Sequence, residues 1–166
     1  MIHTIGIDPG VTGALAILDH DGQLLQAIRT PTIKAKGRTQ YDINAMMDAL
    51  HQHQHQHQDQ HLRAGIELVH TLPRDGRVGA FNFGRGLGLW LGLLSGLQIP
   101  YTEVTPQRWQ ASMLAGLPRG PHSKTSAVRA AKALFPNIPI NAKADWGLAD
   151  AALIAEFTRR LNQGKT

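Results

Sequence analysis

The chain has 166 residues, no cysteine, 17 lysines and arginines against 12 acids, and a formal charge of +5. The lack of cysteine excludes disulfides, thiolate zinc sites and cysteine nucleophiles, and no apolar run approaches the length a membrane helix needs. His3, Thr4 and Asp8 near the start do not fit a signal peptide. The expectation is therefore one cytoplasmic domain over residues 1–166, with apolar content ample for a core.

Residues 2–8, 12–18 and 24–30 read as three short strands, joined by Asp8-Pro9-Gly10 and by Asp19-His20-Asp21-Gly22, whose Asp-Gly is a strong hairpin signal. Residues 31–39 are polar and basic and read as a loop. Ile43, Met46, Met47 and Leu50 recur at helical spacing and predict a helix from Tyr41 to about Leu50. The dipeptide repeat His51-Gln52-His53-Gln54-His55-Gln56-His57-Gln58 follows, within a low-complexity stretch at 51–61. On a strand its four imidazoles would share one face and bind zinc, copper or nickel. Read as a surface extension of the helix or as a loop, it needs no metal.

Ala64-Gly65-Ile66-Glu67-Leu68-Val69 reads as a fourth, buried strand with Glu67 in its middle or near its end, and residues 71–79 as a basic loop. An apolar helix from about Val78 to Leu97 carries Gly84, Gly88, Gly92 and Gly96 at four-residue spacing. Each glycine costs a helix about 0.8–1.0 kcal/mol relative to alanine. The stripe therefore predicts a groove for another backbone, in this chain or in a partner subunit. Arg85 and the short length argue against a membrane helix.

Tyr101–Val104 reads as a fifth strand. Thr105 caps and Pro106 opens a helix to about Ala115. After a turn-rich break at 116–122, Ser123 caps a helix to Leu134, which Pro136 and Pro139 terminate. The last helix spans Trp146 to Leu161. Three hairpin-connected strands followed by alternating helix and strand predict an α/β fold. Its mixed five-stranded sheet, with the first three strands antiparallel, is flanked by helices.

Asp is a poor strand residue and expensive to bury alone, so Asp8 is either turn chemistry before Pro-Gly or a cation ligand. Glu67 offers a second carboxylate in a similar setting. If the first and fourth strands are neighbours, the two stand side by side, and the front of the last helix brings Asp145 and Asp150 across them. Like charges that close do not all ionise without a cation, and hard carboxylate oxygens select Mg²⁺ or Mn²⁺. Two such ions about 3.5–4 Å apart are the usual clamp for phosphodiester hydrolysis, one activating water and the other stabilising the leaving 3′ oxygen.

Simpler readings stand beside these: Asp145 as a helix N-cap, Glu67 as an arginine partner. Asp150 has small and apolar neighbours, where an unpaired acid is costly. Asp145 is five residues away, on a different helical face, and shares the site only if it precedes the first regular turn. The middle of the chain holds Arg74, Arg77, Arg85, Arg108, Arg119, Lys124 and Arg129 against Asp75 and Glu103. That is either a solvated basic face or a surface for a polyanion.

Ile7-Asp8-Pro9-Gly10 with Thr12-Gly13, Ile66-Glu67-Leu68-Val69 and Ala149-Asp150-Ala151-Ala152-Leu153-Ile154-Ala155 resemble the RuvC family of Holliday junction resolvases. Phe81-Asn82-Phe83-Gly84-Arg85, Leu89-Trp90-Leu91-Gly92 and Val104-Thr105-Pro106-Gln107 with Trp109 resemble its phage and prophage branch. The similarity runs over nearly the whole chain in motif order. It implies an RNase H-like fold, a homodimer, no nucleotide cofactor, and Mg²⁺-dependent paired nicking of four-way DNA junctions in a bacterial or phage-infected cell.

Asp8, Glu67 and Asp150 match the family's catalytic acids and metal ligands. Lys124 matches a basic residue associated with phosphate contact or transition-state charge. The fourth acid of bacterial members falls on Gly147, which leaves Asp145 as the nearest substitute. An aromatic residue associated with opening the junction falls on His70, with Phe81 or Phe83 as alternatives, and a lysine of bacterial members falls on Gln110. DNA contacts are expected at Arg74, Arg77, Phe81, Arg85, Arg108, Lys124 and Arg129.

An Asp-x-Gly-x-Thr turn also occurs in the phosphate-binding hairpin of sugar kinases, actin and the heat-shock ATPases. Those proteins place ATP between two related domains, and no second phosphate loop is evident in this sequence. An RNase H or a broader branched-DNA nuclease would carry the same acids. A non-catalytic junction-binding module is the third alternative.

Overall fold

The computed structural model describes residues 1–56, 61–68, 76–118 and 120–165. The strands are β1 (Ile2–Asp8), β2 (Ala14–Leu18), β3 (Leu24–Arg29), β4 (Thr32–Ala35), β5 (Arg38–Tyr41), β6 (His61–Glu67) and β7 (Tyr101–Val104). The helices are α1 (Ile43–Gln56), α2 (Gly76–Gly96), α3 (Pro106–Met113), α4 (Ser123–Leu134) and α5 (Trp146–Asn162).

The expected sheet forms in the order β3-β2-β1-β6-β7, with β1, β2 and β3 antiparallel and β6 and β7 parallel to β1. Alternation along the strands divides the core in two. Ile5, Ile7, Leu15, Ile17 and Ile66 face Met46, Leu50, Trp90 and Leu94 of α1 and α2. Ala14, Ala16, Leu18 and Val104 face α3, α4 and α5.

Helix α5 is buried along nearly its whole length, and its close approach to the sheet requires glycine. A Cβ at Gly6 would lie 2.0 Å from the Ala151 carbonyl oxygen, and one at Gly65 would lie 1.9 Å from Thr158 Oγ1.

Several expectations need correction. The loop read at 31–39 is a hairpin, β4–β5, with Thr32 paired to Tyr41 and Ala35 to Arg38. Its strands are almost wholly exposed except for Tyr41, so hydrophobic alternation carried no signal for it. The His/Gln repeat is not all surface, because α1 continues to Gln56 and turns His53 inward. There its Nε2 lies 2.9 Å from Nδ1 of buried His3. A helix turns alternate residues to opposite sides, so exposed His51 and buried His53 do not share a face. Residues His61-Leu62-Arg63 also belong to β6, where they pair with Ile2, His3 and Thr4.

The glycine stripe of α2 packs against nothing in this chain among the described residues. A Cβ at Gly84, Gly88, Gly92 or Gly96 would meet no atom within 4 Å. The buried stripe is Gly86, Trp90 and Leu94, on the opposite side. Finally, neither Thr105 nor Ser123 caps with its side chain: Thr105 makes no side-chain cap bond, and Ser123 is the first residue of α4. No helix among the described residues is long and apolar enough to cross a membrane.

Because a Cβ at Gly6 meets backbone and not a flexible side-chain tip, Gly6→Ala is expected to destabilise the fold by ~3 kcal/mol or more. Gly84→Ala meets no atom of its own chain within 4 Å among the described residues and, at protein concentrations too low for association, is expected to be neutral or stabilising by up to ~1 kcal/mol. Urea unfolding of the two variants checks both.

Candidate active site

Parallel pairing of β1 with β6 sets Ile7 beside Ile66, so Asp8 and Glu67 emerge together at the carboxyl ends of adjacent strands. The sheet runs to β2 and β3 on one side of this pair and to β7 on the other, a switch point of the kind where open α/β sheets bind ligands. Ile7 and Ile66 face α1 and α2, so alternation turns Asp8 and Glu67 toward the layer of α3, α4 and α5. Asp150, in the second turn of α5, meets them there, and Lys124, in the first turn of α4, ion-pairs with Asp150.

Each carboxylate has a defined local partner. Asp8 Oδ1 accepts the Gly10 N–H at 3.2 Å, the Asx turn that Asp-Pro-Gly favours. Glu67 Oε1 accepts the Trp109 indole N–H at 2.8 Å. Buried indole N–H groups need an acceptor, and Thr105-Pro106 starts α3 where Trp109 turns inward. That link was open to sequence reasoning, which used Trp109 only as part of a motif.

The acids are electrostatically frustrated. Burial, then the charge of Asp150, pushes Asp8 up to about 6, against Lys124 and the Gly10 amide. Burial, then the charge of Asp8, pushes Glu67 up to about 7 in spite of the Trp109 bond. Burial also raises Asp150, against the pull of Lys124. Burial alone would lower Lys124, but Asp150, Asp8 and Glu67 together hold it above the ordinary lysine range.

Asp145, expected as a fourth ligand, bonds to other partners than this cluster. Its Oδ2 accepts the backbone N–H groups of Asn141 at 2.9 Å and Ala142 at 2.8 Å. Its Oδ1 accepts from Arg29 Nε at 2.7 Å and ion-pairs with Arg29 Nη2. The Asn141 amide, Arg29 and the Ala142 amide hold its carboxyl below the usual aspartate range. Asp145 caps the turn ahead of α5 and ties it to the end of β3. Nor does an acid fit at Gly147, where a Cβ would lie 2.6 Å from the Thr12 carbonyl oxygen and 3.0 Å from Gly13.

Arg74 and His70 lie outside the described residues. Arg77, Phe81 and Arg85 are exposed on the first three turns of α2. Arg129 is exposed on α4, and Arg108 places its guanidinium over the Phe157 ring at 5.8 Å. Tyr41 joins the α2 surface to the acids. Its buried hydroxyl donates to the Pro9 carbonyl at 3.2 Å, and burial followed by the Asp8 charge pushes it up to about 12.

The donor set fits a hard divalent cation. It consists of carboxylate oxygens without a thiol or imidazole, and two of the acids are held near neutral pKa by burial and mutual repulsion, which a bound cation would relieve. Asp19, His20 and Asp21 also bring ligand atoms within 4.8 Å of one another. They form the β2–β3 turn at the opposite end of the sheet, where Asp19 Oδ1 accepts the N–H groups of Asp21 and Gln23. That is turn chemistry.

The fold is α/β, RuvC-like and RNase H-like. It superposes on Thermus thermophilus RuvC in complex with a Holliday junction substrate with a TM-score of 0.67 and 18% identity, covering 99% of this chain and 98% of that one. A second Thermus thermophilus RuvC structure gives a TM-score of 0.65 and 19% identity over 98% and 97% of the chains. A 94-residue stretch, 55% of this chain, is 35% identical to the chloroplastic Holliday junction resolvase MOC1 of Chlamydomonas reinhardtii, of which it spans 10%. No protein-family model matches the chain.

Two outcomes follow from the electrostatics. Folded Asp8 and Glu67 keep their protons to higher pH than the unfolded chain does, so the stability they contribute is present at low pH and lost as pH rises through about 6 to 7. In chelator, Asp8→Asn is expected to be more stable than wild type by at least ~1 kcal/mol at about pH 8, the advantage vanishing toward about pH 4, as read by urea unfolding. Asp145→Asn is expected to lower the melting temperature while leaving calorimetric Mn²⁺ binding unchanged.

Proposed function

We propose that this protein is a metal-dependent endonuclease that resolves four-way DNA junctions by paired nicks. The observation that supports it best is the meeting of Asp8, Glu67 and Asp150 with Lys124 on a RuvC-like sheet. One structural neighbour is RuvC in complex with a Holliday junction substrate and a partial relative is a Holliday junction resolvase, which supports the choice of substrate. In this proposal Asp8, Glu67 and Asp150 hold Mg²⁺, with Mn²⁺ substituting and two ions per site. Bound there, the ions would supply Lewis-acid charge at the scissile phosphate and lower the pKa of the attacking water.

The reaction is hydrolysis. A water oxygen bonds to phosphorus as the bond to the 3′ oxygen breaks, leaving a 3′-hydroxyl and a 5′-phosphate. Trp109 orients Glu67 through its indole N–H, as outer-shell donors do for ligating carboxylates. Lys124 stabilises the charge that develops on the phosphate. Arg77, Phe81, Arg85 and Arg129, with Arg74 and Arg108, meet the DNA, their cations replacing counterions at phosphates.

A four-way junction needs two opposed nicks, so the proposal includes a twofold dimer. The glycine stripe of α2 is the surface that suits it, being open where a second helix backbone can approach. Assignment to the phage and prophage branch, and a cytoplasmic site of action, belong to the same proposal and rest on the sequence motifs. An RNA–DNA hybrid nuclease on the same fold is the second reading, because the acids define the chemistry and not the substrate.

With Mg²⁺, cleavage of a mobile four-way junction is expected to exceed cleavage of a fork or an RNA–DNA hybrid. Asp8→Asn is expected to reduce it by ~10³-fold or more while leaving junction binding within a few-fold, and light scattering is expected to give two chains per particle. A hybrid cut faster than the junction would overturn the substrate assignment. Cleavage that survives Asp8→Asn would overturn the metal site.

A further inference from the structure

The β4–β5 hairpin has a defined shape and little to bury. Lys36 and Gly37 both take left-handed backbone conformations, with φ of 49° and 74°, between paired Ala35 and Arg38. This is the two-residue turn that matches strand twist. The Asp42 N–H closes the base onto the Pro31 carbonyl at 3.0 Å. Of the strand residues Tyr41 alone is buried, so core packing accounts for one end of the hairpin and not for its length.

Its exposed part is cationic. Lys34, Lys36 and Arg38 project from it, and no acid occurs between Asp21 and Asp42. Facing it, the first turns of α2 offer Arg77 and Arg85, and no acid occurs from Gly76 to Thr102. Between the two elements runs a groove of about 750 Å³, lined among others by Arg38, Gln40, Arg77, Val78, Phe81 and Asn82. Val78 and Phe81 are 74% and 68% exposed beside these cations. Tyr41 anchors the groove to the acids: its hydroxyl bonds the Pro9 carbonyl, one residue past Asp8, and lies 3.4 Å from the Asn82 carbonyl.

We propose that the β4–β5 hairpin and the start of α2 form a clamp for one duplex arm of the DNA, gripping its phosphates outside the point of cleavage. The inference rests on the nuclease reading above and names the part of the substrate the hairpin holds. Charge complementarity selects the occupant. Arg38, Arg77 and Arg85 line the groove while Lys34 and Lys36 stand exposed on the hairpin beside it; cations spread in this way suit a repeating row of phosphates, and exposed Val78 and Phe81 suit the deoxyribose edge. A single phosphate would leave most of the groove empty.

The test uses the full chain carrying Asp8→Asn, so that bound DNA stays intact, with and without Lys34→Ala, Lys36→Ala and Arg38→Ala. Fluorescence anisotropy across a salt series measures binding to four-way junctions whose arms span about two helical turns or about half a turn. On long arms the triple variant is expected to lose about tenfold in affinity, and the slope of log K against log salt to fall by about 2–3, at roughly 0.9 per phosphate contact. On short arms both are expected to stay near the Asp8→Asn values. Removing Lys132, Lys143 and Lys165 instead takes away the same net charge and is expected to leave the long-arm slope unchanged.

An unchanged long-arm slope in the hairpin variant, or an equal fall in the control, would overturn the clamp. If the Asp8→Asn protein binds junctions no better than linear duplex, the junction assignment fails. The hairpin slope is then read on linear duplex, where the same fall is expected and its absence overturns the clamp.

Discussion

Helix α5 lies so close to the sheet that Gly6 and Gly65 admit no side chain, and this approach sets the geometry of everything at the carboxyl edge. It fixes α5 across the one parallel neighbour pair, β1 and β6, that includes the first strand. Asp150 is thereby carried toward Asp8 and Glu67, which the strand register has already placed together. A sheet residue larger than glycine at either position would lift the helix and separate the third acid from the other two. Packing in the half of the core that contains α5 is in this sense the scaffold of the acid cluster.

The acids destabilise what packing builds. Asp8, Glu67 and Asp150 all have raised pKa values, burial being the leading cause in each, and one ammonium among them does not compensate. Glu156, further along α5, shows the contrasting case. It is buried too, yet bonds from Arg159 at 2.8 Å and Arg160 at 2.7 Å hold it below the usual glutamate range in spite of burial. Placing a carboxylate in the interior is thus compatible with a stable ion pair in this fold. The cluster at the sheet edge lacks that pairing, the pattern expected where charge serves binding or chemistry.

Much of this was legible in the sequence because it depends on period-two alternation and turn chemistry. Asp8 before Pro-Gly and Glu67 at the end of an apolar run mark strand ends, and Asp150 among alanines marks a helix face pressed against something. The β4–β5 hairpin was not legible: its residues are exposed, its turn uses Lys36 in a left-handed conformation, and Tyr41 holds it from a distance of 32 residues along the chain. His53 was hidden by the composition of its repeat, since helical geometry and not alternation decides which imidazole turns inward. The direction of the α2 glycines was also out of reach, because spacing defines a stripe without saying which stripe the sheet covers.

Asp145 shows how an acid two residues from a motif position can do different work. The Thr12 carbonyl and Gly13 back directly onto Gly147, so the β1–β2 turn occupies the space that a side chain there would need. The acid two residues earlier turns the other way, into the amides of Asn141 and Ala142 and onto Arg29. Among the described residues, two features of the fold leave the cluster with three carboxylates and one lysine. One is steric, at Gly147, and the other is the hydrogen-bond satisfaction of Asp145, whose two oxygens already accept four bonds. A formal charge of about −2 remains with all three acids ionised, a deficit that a divalent cation matches and that a bare phosphate would deepen. An anionic substrate can approach this edge only where cations lead it in, and the described surface next to the Asp8 turn supplies them from the hairpin and from α2.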